Sequence, residues 1–138
     1  MSGLRRISIT IDAKLLTRFD KEVELQGYHT RSKAIADLIA ESLVKKAWAE
    51  NREVAGAITL VYNHHRRELL STLTKVQHDF HQLIVSSQHI HLDHDNCFEI
   101  VVVKGKPREV EKLAQRLKST KGVKHSSLVK ATTGREIA

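Results

Sequence analysis

Residues Arg5 to Asp12 read RRISITID, and the reading of this octapeptide decides the fold. Ile7, Ile9 and Ile11 fall on one side of an extended chain, and Arg6, Ser8 and Thr10 on the other, the period-two signature of a half-buried strand. Asp12 is placed to cap a following helix whose apolar residues Leu15, Leu16, Phe19 and Val23 recur at helical spacing until Gly27 stops it. After the turn GYHT, Thr30 opens a second, longer helix with Ile35, Leu38, Ile39, Leu43, Ala47 and Trp48 along one face.

A lone strand followed by two helices has no sheet to join, and its backbone groups still require partners. The nearest identical strand belongs to a second copy of the chain. These residues therefore predict an intertwined dimer with a two-stranded antiparallel ribbon, whose outward row is Arg6, Ser8 and Thr10 from each copy. Such a ribbon fits the major groove of B-DNA, where arginine forks onto a guanine edge and Ser or Thr donates or accepts as the base requires. A solvated strand face is the plainer reading, but a strand that exists only in a dimer favours the groove. Two-fold symmetry then predicts a palindromic operator in double-stranded DNA. Thr30, Arg31 and Ser32 begin the second helix, where free N–H groups and the helix dipole favour an anion; beside a groove-reading ribbon that anion is a backbone phosphate.

Around Ala49 to Ala57 the periodicity lapses and Gly56 interrupts any helix, which places a boundary between a DNA-binding domain of residues 1–53 and a second domain of residues 54–131. Within the second, strand signals at residues 57–62, 81–92, 98–103 and 123–129 alternate with helix signals from Asn63 to Val76 and from Pro107 to Gly122. The order βαββαβ is that of a ferredoxin-like plait, an antiparallel sheet with both helices on one face, and the class is α+β. Residues 132–138 are expected to be disordered.

The chain has 138 residues, and two halves of roughly 60 residues each bury too little surface to stand comfortably alone, so a homo-oligomer is expected. A formal net charge of +7 points to an anionic partner, nucleic acid first. Ten basic against eight acidic residues fall in 1–53 and thirteen against eight in 54–138, so charge alone does not say which half meets the polyanion. Without a long apolar run or a leader pattern, the sequence reads as soluble and cytoplasmic, with no membrane partner.

Residues 88–97, QHIHLDHDNC, hold three histidines and the single cysteine. His89 and His91 are two apart on a strand and share a face, and Cys97 comes opposite them across the DHDN turn. Two imidazoles and a thiolate are borderline-soft donors suited to a transition metal. His78 or His81 supplies a fourth nitrogen, from the same chain or a neighbouring one. A planar set suits Ni(II) or Cu(II) and a tetrahedral one Zn(II), and residue types alone do not choose. His94, in the turn, reads as solvent-facing; Glu99, two beyond Cys97 on the same face, reads equally as a residue that orients a ligand histidine or as an exposed or salt-bridged glutamate. Arg66 and Arg67 stand at a helix start where the dipole disfavours them; a solvated face is the usual reading and contact with a polyanion the functional one.

RRISITID, GYHTRSKAI, and a Gln-His pair followed by H-x-H-x-x-H-x-x-C resemble the nickel-responsive transcriptional regulators over nearly the whole chain. The resemblance implies a ribbon-helix-helix N-terminal domain, an ACT-type second domain and no enzymatic activity. It further implies one Ni(II) per subunit in a square plane of His89, His91 and Cys97, with His78 donated by another subunit of a homotetramer, a dimer of dimers. The implied role is a repressor, commonly of nickel uptake, that binds its operator when nickel orders residues 63–80 and brings Arg66 and Arg67 to DNA. One departure stands out: where the family often has an acidic residue contributing to a second cation site, this chain has Lys33, one turn before Asp37, which predicts that the site is lost or replaced by a salt bridge. Cobalt, copper and zinc accept the same donors, and ACT-type domains also respond to amino acids, though that reading leaves His89, His91 and Cys97 without a role. A metal hydrolase needs an open coordination position and a base such as Glu99, which a site closed by His78 does not offer.

Overall fold

The computed structural model describes residues 3–137. Met1, Ser2 and Ala138, which fall in the expected N-terminal domain and tail, lie outside the described residues. Packing divides the described residues into a unit of residues 3–43 with 137 and a unit of residues 44–136. The division falls before residue 53 because Val44, Ala47 and Trp48, at the end of the second helix, pack into the core of the sheet unit.

The N-terminal unit is built on α1 (Ala13–Leu25) and the first part of α2 (Arg31–Ala49). Asp12 Oδ1 accepts the amides of Lys14 and Leu15 at 2.9 and 3.0 Å, satisfying two of the free donors at the start of α1. Gly27, at φ +78°, turns the chain out of the helix. Thr30 Oγ1 accepts the amide of Lys33 at 3.1 Å and caps α2. The strand expected over residues 5–11 is not formed within the chain: residues 3–12 carry no regular structure, because this unit contains no second strand to pair with. Among its described residues only Ala34 is buried, while Ile7, Ile9, Leu15 and Leu38 are all more than half exposed.

The second unit contains β1 (Val54–Asn63), α3 (Arg67–Asp79), β2 (Ile84–His91), β3 (Asn96–Gly105), α4 (Pro107–Ser119) and β4 (Val123–Lys130). Its sheet order is β2-β3-β1-β4 with every neighbouring pair antiparallel, the plait expected from the element order. Ile58, Leu60, Val101 and Val103 point to one face and meet Leu69, Leu73 and Val76 of α3 and Val110, Leu113 and Leu117 of α4 in a single core. Pro107 stands in the first turn of α4, where a missing N–H costs nothing. On the opposite face Val102, Ala57 and Val129 stand in register across three strands, and the two valines are exposed.

Two boundaries differ from expectation. β1 runs on to Asn63, which pairs with Asn96, so α3 starts at Arg67; the Asn63 side chain instead accepts the His65 amide at 2.9 Å in the intervening turn. The terminal residues, expected to be disordered, form local bonds: Thr132 Oγ1 donates to Glu136 at 3.0 Å and accepts the Gly134 amide at 3.0 Å, ahead of a 3-10 turn at Arg135–Ile137. A Thr-x-Gly turn of this kind is too short to register in a composition-based reading.

Gly56, read from sequence as an interruption, lies inside β1, where a Cβ would come 2.7 Å from the carbonyl oxygen of Val129. The glycine is there for close approach between strands. Gly56→Ala is therefore expected to destabilise the protein by about 1–3 kcal/mol, the cost of overpacking against rigid backbone, read as a lower denaturation midpoint. An unchanged midpoint would show that β4 shifts freely.

Candidate metal centre

The register of the sheet places the histidines and the cysteine. His91 pairs with Cys97 and His89 with Glu99 across β2 and β3, while Tyr62 and Leu60 of β1 stand opposite Cys97 and Glu99. Directly opposed residues share a face, so His89, His91, Cys97, Glu99 and Tyr62 gather on the helix-covered side of the sheet. Cys97 and Glu99 are each 1% exposed, whereas the His89 side chain, on the edge strand, is 54% exposed.

A buried carboxylate requires partners, and Glu99 has them. Tyr62 donates its hydroxyl to Oε1 at 2.6 Å, Gln77 donates from α3 to Oε2 at 2.7 Å, and His89 Nε2 stands 3.6 Å from Oε2. The Tyr62 oxygen also lies 3.3 Å from His89 Nδ1. Burial, then the hydrogen bond to Glu99, pushes the Tyr62 phenol far above its ordinary value, so it stays protonated and remains a donor. Spacing assigns no role to Tyr62, and Gln77 enters only as the residue before His78; their contact with Glu99 depends on strand register and on the facing of α3, which no local motif announces.

The structure brings His89, His91 and Cys97 to one end of one sheet face, but their rings take the partners the fold offers. His89 turns to Tyr62 and Glu99, and His91 stacks on His64 with centroids 4.3 Å apart and planes 9° apart. His78 is exposed in the last turn of α3, its ring 5.8 Å from that of His81. Among the described residues the group whose ligand atoms all lie within 4.8 Å of one another is a different one, His65, His94 and Asp95. The donor chemistry of the hairpin, two imidazoles and one thiol with a buried carboxylate behind His89, nonetheless fits a borderline divalent ion.

The hairpin turn is preformed. Asp93 Oδ1 accepts the amides of Asp95 and Asn96 at 2.9 and 2.8 Å. The Asn96 side chain first, then these backbone amides, hold the Asp93 carboxyl down at about 2.

Residues expected at DNA are exposed: Arg6, Ser8 and Thr10 on the extended N-terminal segment, and Thr30, Arg31 and Ser32 at the start of α2. Arg31 is already committed, forking onto Asp20 through two hydrogen bonds of 2.7 Å. Arg66 and Arg67 line a cavity of about 470 Å³ together with Lys121, a third cation that sequence spacing did not bring to them. Lys33 Nζ lies 2.6 Å from Asp37 Oδ1, and Tyr28 donates to Asp37 Oδ2 at 2.7 Å. These contacts, Lys33 first, depress the Asp37 carboxyl.

Residues 55–131 match the family described as "NikR C terminal nickel binding domain". A protein of Syntrophus aciditrophicus (strain SB) is 53% identical over 93% of both chains. One of Chlorobaculum tepidum is 51% identical over 93% of this chain and 96% of its own, and one of Solibacter usitatus 51% over 99% of each. All three carry the name "Putative nickel-responsive regulator". Among solved structures, an uncharacterized protein from Thermotoga maritima superposes with a TM-score of 0.52 at 16% identity, over 56% of this chain and 96% of that one, a likeness of fold alone. Among the described residues no helix is long and apolar enough to cross a membrane.

Proposed function

This chain belongs to the nickel-responsive regulator family, and from that premise we propose that it couples nickel binding to recognition of a palindromic DNA operator, as a repressor of nickel uptake. The observation that carries the metal half is the β2–β3 register, which sets His91 opposite Cys97 and His89 opposite buried Glu99. His89, His91 and Cys97 of one subunit hold one Ni(II) with His78 of another, and Glu99 steadies His89 from behind. When bound, the ion ties donors of two subunits together. Exposed Val102 and Val129 on the uncovered sheet face support association of copies through this domain, residues 54–131, into a homotetramer of two dimers.

The DNA half rests on residues 1–53 as a ribbon-helix-helix domain. Arg6, Ser8 and Thr10 read base edges. Thr30, Arg31 and Ser32 face phosphates at the α2 N-terminus, where Arg31 has to exchange its Asp20 partner for a phosphate. Arg66 and Arg67, with Lys121 in the same cavity, add phosphate contacts from the sheet domain. Coupling is reciprocal, so DNA also tightens nickel.

The test is operator-fragment binding with and without Ni(II), in wild type and in Arg6→Ala. Nickel is expected to tighten specific binding; equal affinity in both conditions would end the regulator reading. Arg6→Ala is expected to cost about 1–3 kcal/mol at one base pair, as loss of a bidentate arginine contact does. A loss uniform over all sequences would make Arg6 a phosphate contact.

A further inference from the structure

The β2–β3 turn and the loop from β1 to α3 meet at one end of the sheet and bring together groups that the nickel reading does not use. Asp95 Oδ1 stands 3.1 Å from His94 Nδ1 and 3.8 Å from His65 Nε2. Donors bound at about 2.0–2.2 Å to one ion sit roughly 2.9–3.5 Å from each other, so the spacing already found closes onto an ion with small side-chain movement. We propose that His65, His94 and Asp95 form a second site for a borderline divalent ion such as Ni(II) or Zn(II), separate from the Cys97 donor set.

The frame that holds these donors is built from backbone. Asp93 fixes the turn that carries His94 and Asp95, and Asn63 accepts the His65 amide at 2.9 Å. The His64 amide donates to the Asp95 carbonyl at 3.2 Å, joining loop to turn. The His94 carbonyl accepts from both His64 Nε2, at 2.8 Å, and His65 Nε2, at 2.9 Å. Coordination through His65 Nε2 exchanges that hydrogen bond for a metal bond; coordination through Nδ1 leaves it in place. Water completes the shell, because the side chains of His65, Asp95 and His94 are 51%, 61% and 88% exposed. Exposure and the lack of a thiolate make this the weaker site, and its donors, two imidazoles and a carboxylate, are harder than those around Cys97.

The inference does not rest on the nickel-sensing assignment, and one set of variants separates the two. Equilibrium dialysis of the full chain with Ni(II) and with Zn(II), in a Cys97→Ala background, isolates binding that needs no thiolate. That background is expected to retain a class of bound metal, and adding His65→Ala or His94→Ala is expected to weaken it by at least about tenfold, since loss of a partner one shell further out already costs roughly that much. His65→Gln, which keeps most of the side-chain volume, serves if either alanine variant fails to fold by circular dichroism. Paramagnetic broadening by Ni(II) of the amides of residues 93–96 reports the location. The proposal is overturned if Cys97→Ala binds no metal, or if the residual class is unchanged by the His65 and His94 substitutions. If wild type and Cys97→Ala bind the same classes of metal with the same affinity, no Cys97-dependent class exists, and the nickel reading falls while this one stands.

Discussion

Cys97→Ala is expected to abolish tight nickel binding and, with it, the nickel dependence of operator affinity. Cys97 is the only thiol in the chain and is 1% exposed, directly opposite His91 and beside Tyr62. Removing groups that merely orient ligands weakens metal sites by roughly 10–100-fold, so deleting a proposed ligand should cost about hundredfold or more. Fold loss is not the cause: a cysteine truncated to alanine in a packed site removes one heavy atom, at a cost on the order of 1 kcal/mol. Cys97→Ser, which keeps the volume and replaces a soft donor with a hard one, should fail in the same way. The measurements are nickel titration followed by absorption, for the thiolate charge-transfer band, and by calorimetry. A band that persists in Cys97→Ala, or an unchanged affinity, would remove the thiolate from the site and undo the proposed donor set.

The same residue marks how far a sequence can be read. Strand periodicity put His89 and His91 on one face, and the short DHDN turn brought Cys97 opposite them, because both relations are local and follow from the pleat. The order βαββαβ was legible for the same reason, through apolar repeats inside each element and Gly or Pro at the ends. Tyr62 and Gln77 were not legible: one comes to Glu99 through the register of β1 with β3, the other through the packing of α3, both long-range. His94 reads as solvent-facing and its side chain is 88% exposed; what sequence does not carry is the turn geometry, in which Asp93 accepts the Asp95 amide and the His94 carbonyl accepts from His64 and His65, about thirty residues away. Gly56 read as a break because a glycine needed for close strand approach and one that ends a helix look alike in sequence.

Ile9→Asp is expected to disrupt assembly of the N-terminal domain and to remove specific DNA binding, whereas Thr10→Asp, one residue on, should leave assembly intact. The N-terminal unit buries a single alanine among its described residues, yet Ile7, Ile9 and Ile11 are 70%, 61% and 38% exposed and Leu15 and Leu38 are 55% and 57% exposed. Ile9, Ile11, Leu15, Leu16, Phe19, Ile35 and Leu38 line one cavity of about 400 Å³, so the apolar residues are gathered and uncovered. In the proposed ribbon dimer a second copy would cover them and at the same time supply the missing strand partner for residues 5–11. In that dimer each Ile9 loses about 1.5–3 kcal/mol of burial on substitution, and a carboxylate put in its place adds a desolvation cost; symmetry makes both count twice. The result is a total of at least about 5 kcal/mol per dimer, which raises the dimer dissociation constant by roughly three to four orders of magnitude. Thr10 lies on the outward row, where a carboxylate meets solvent in the free dimer and phosphates in the complex; DNA affinity should fall without change in mass. Sedimentation equilibrium and operator binding on the two variants read the difference. If Ile9→Asp keeps both the assembly state and the DNA affinity of wild type, the ribbon is not the dimer contact and the N-terminal domain needs another architecture.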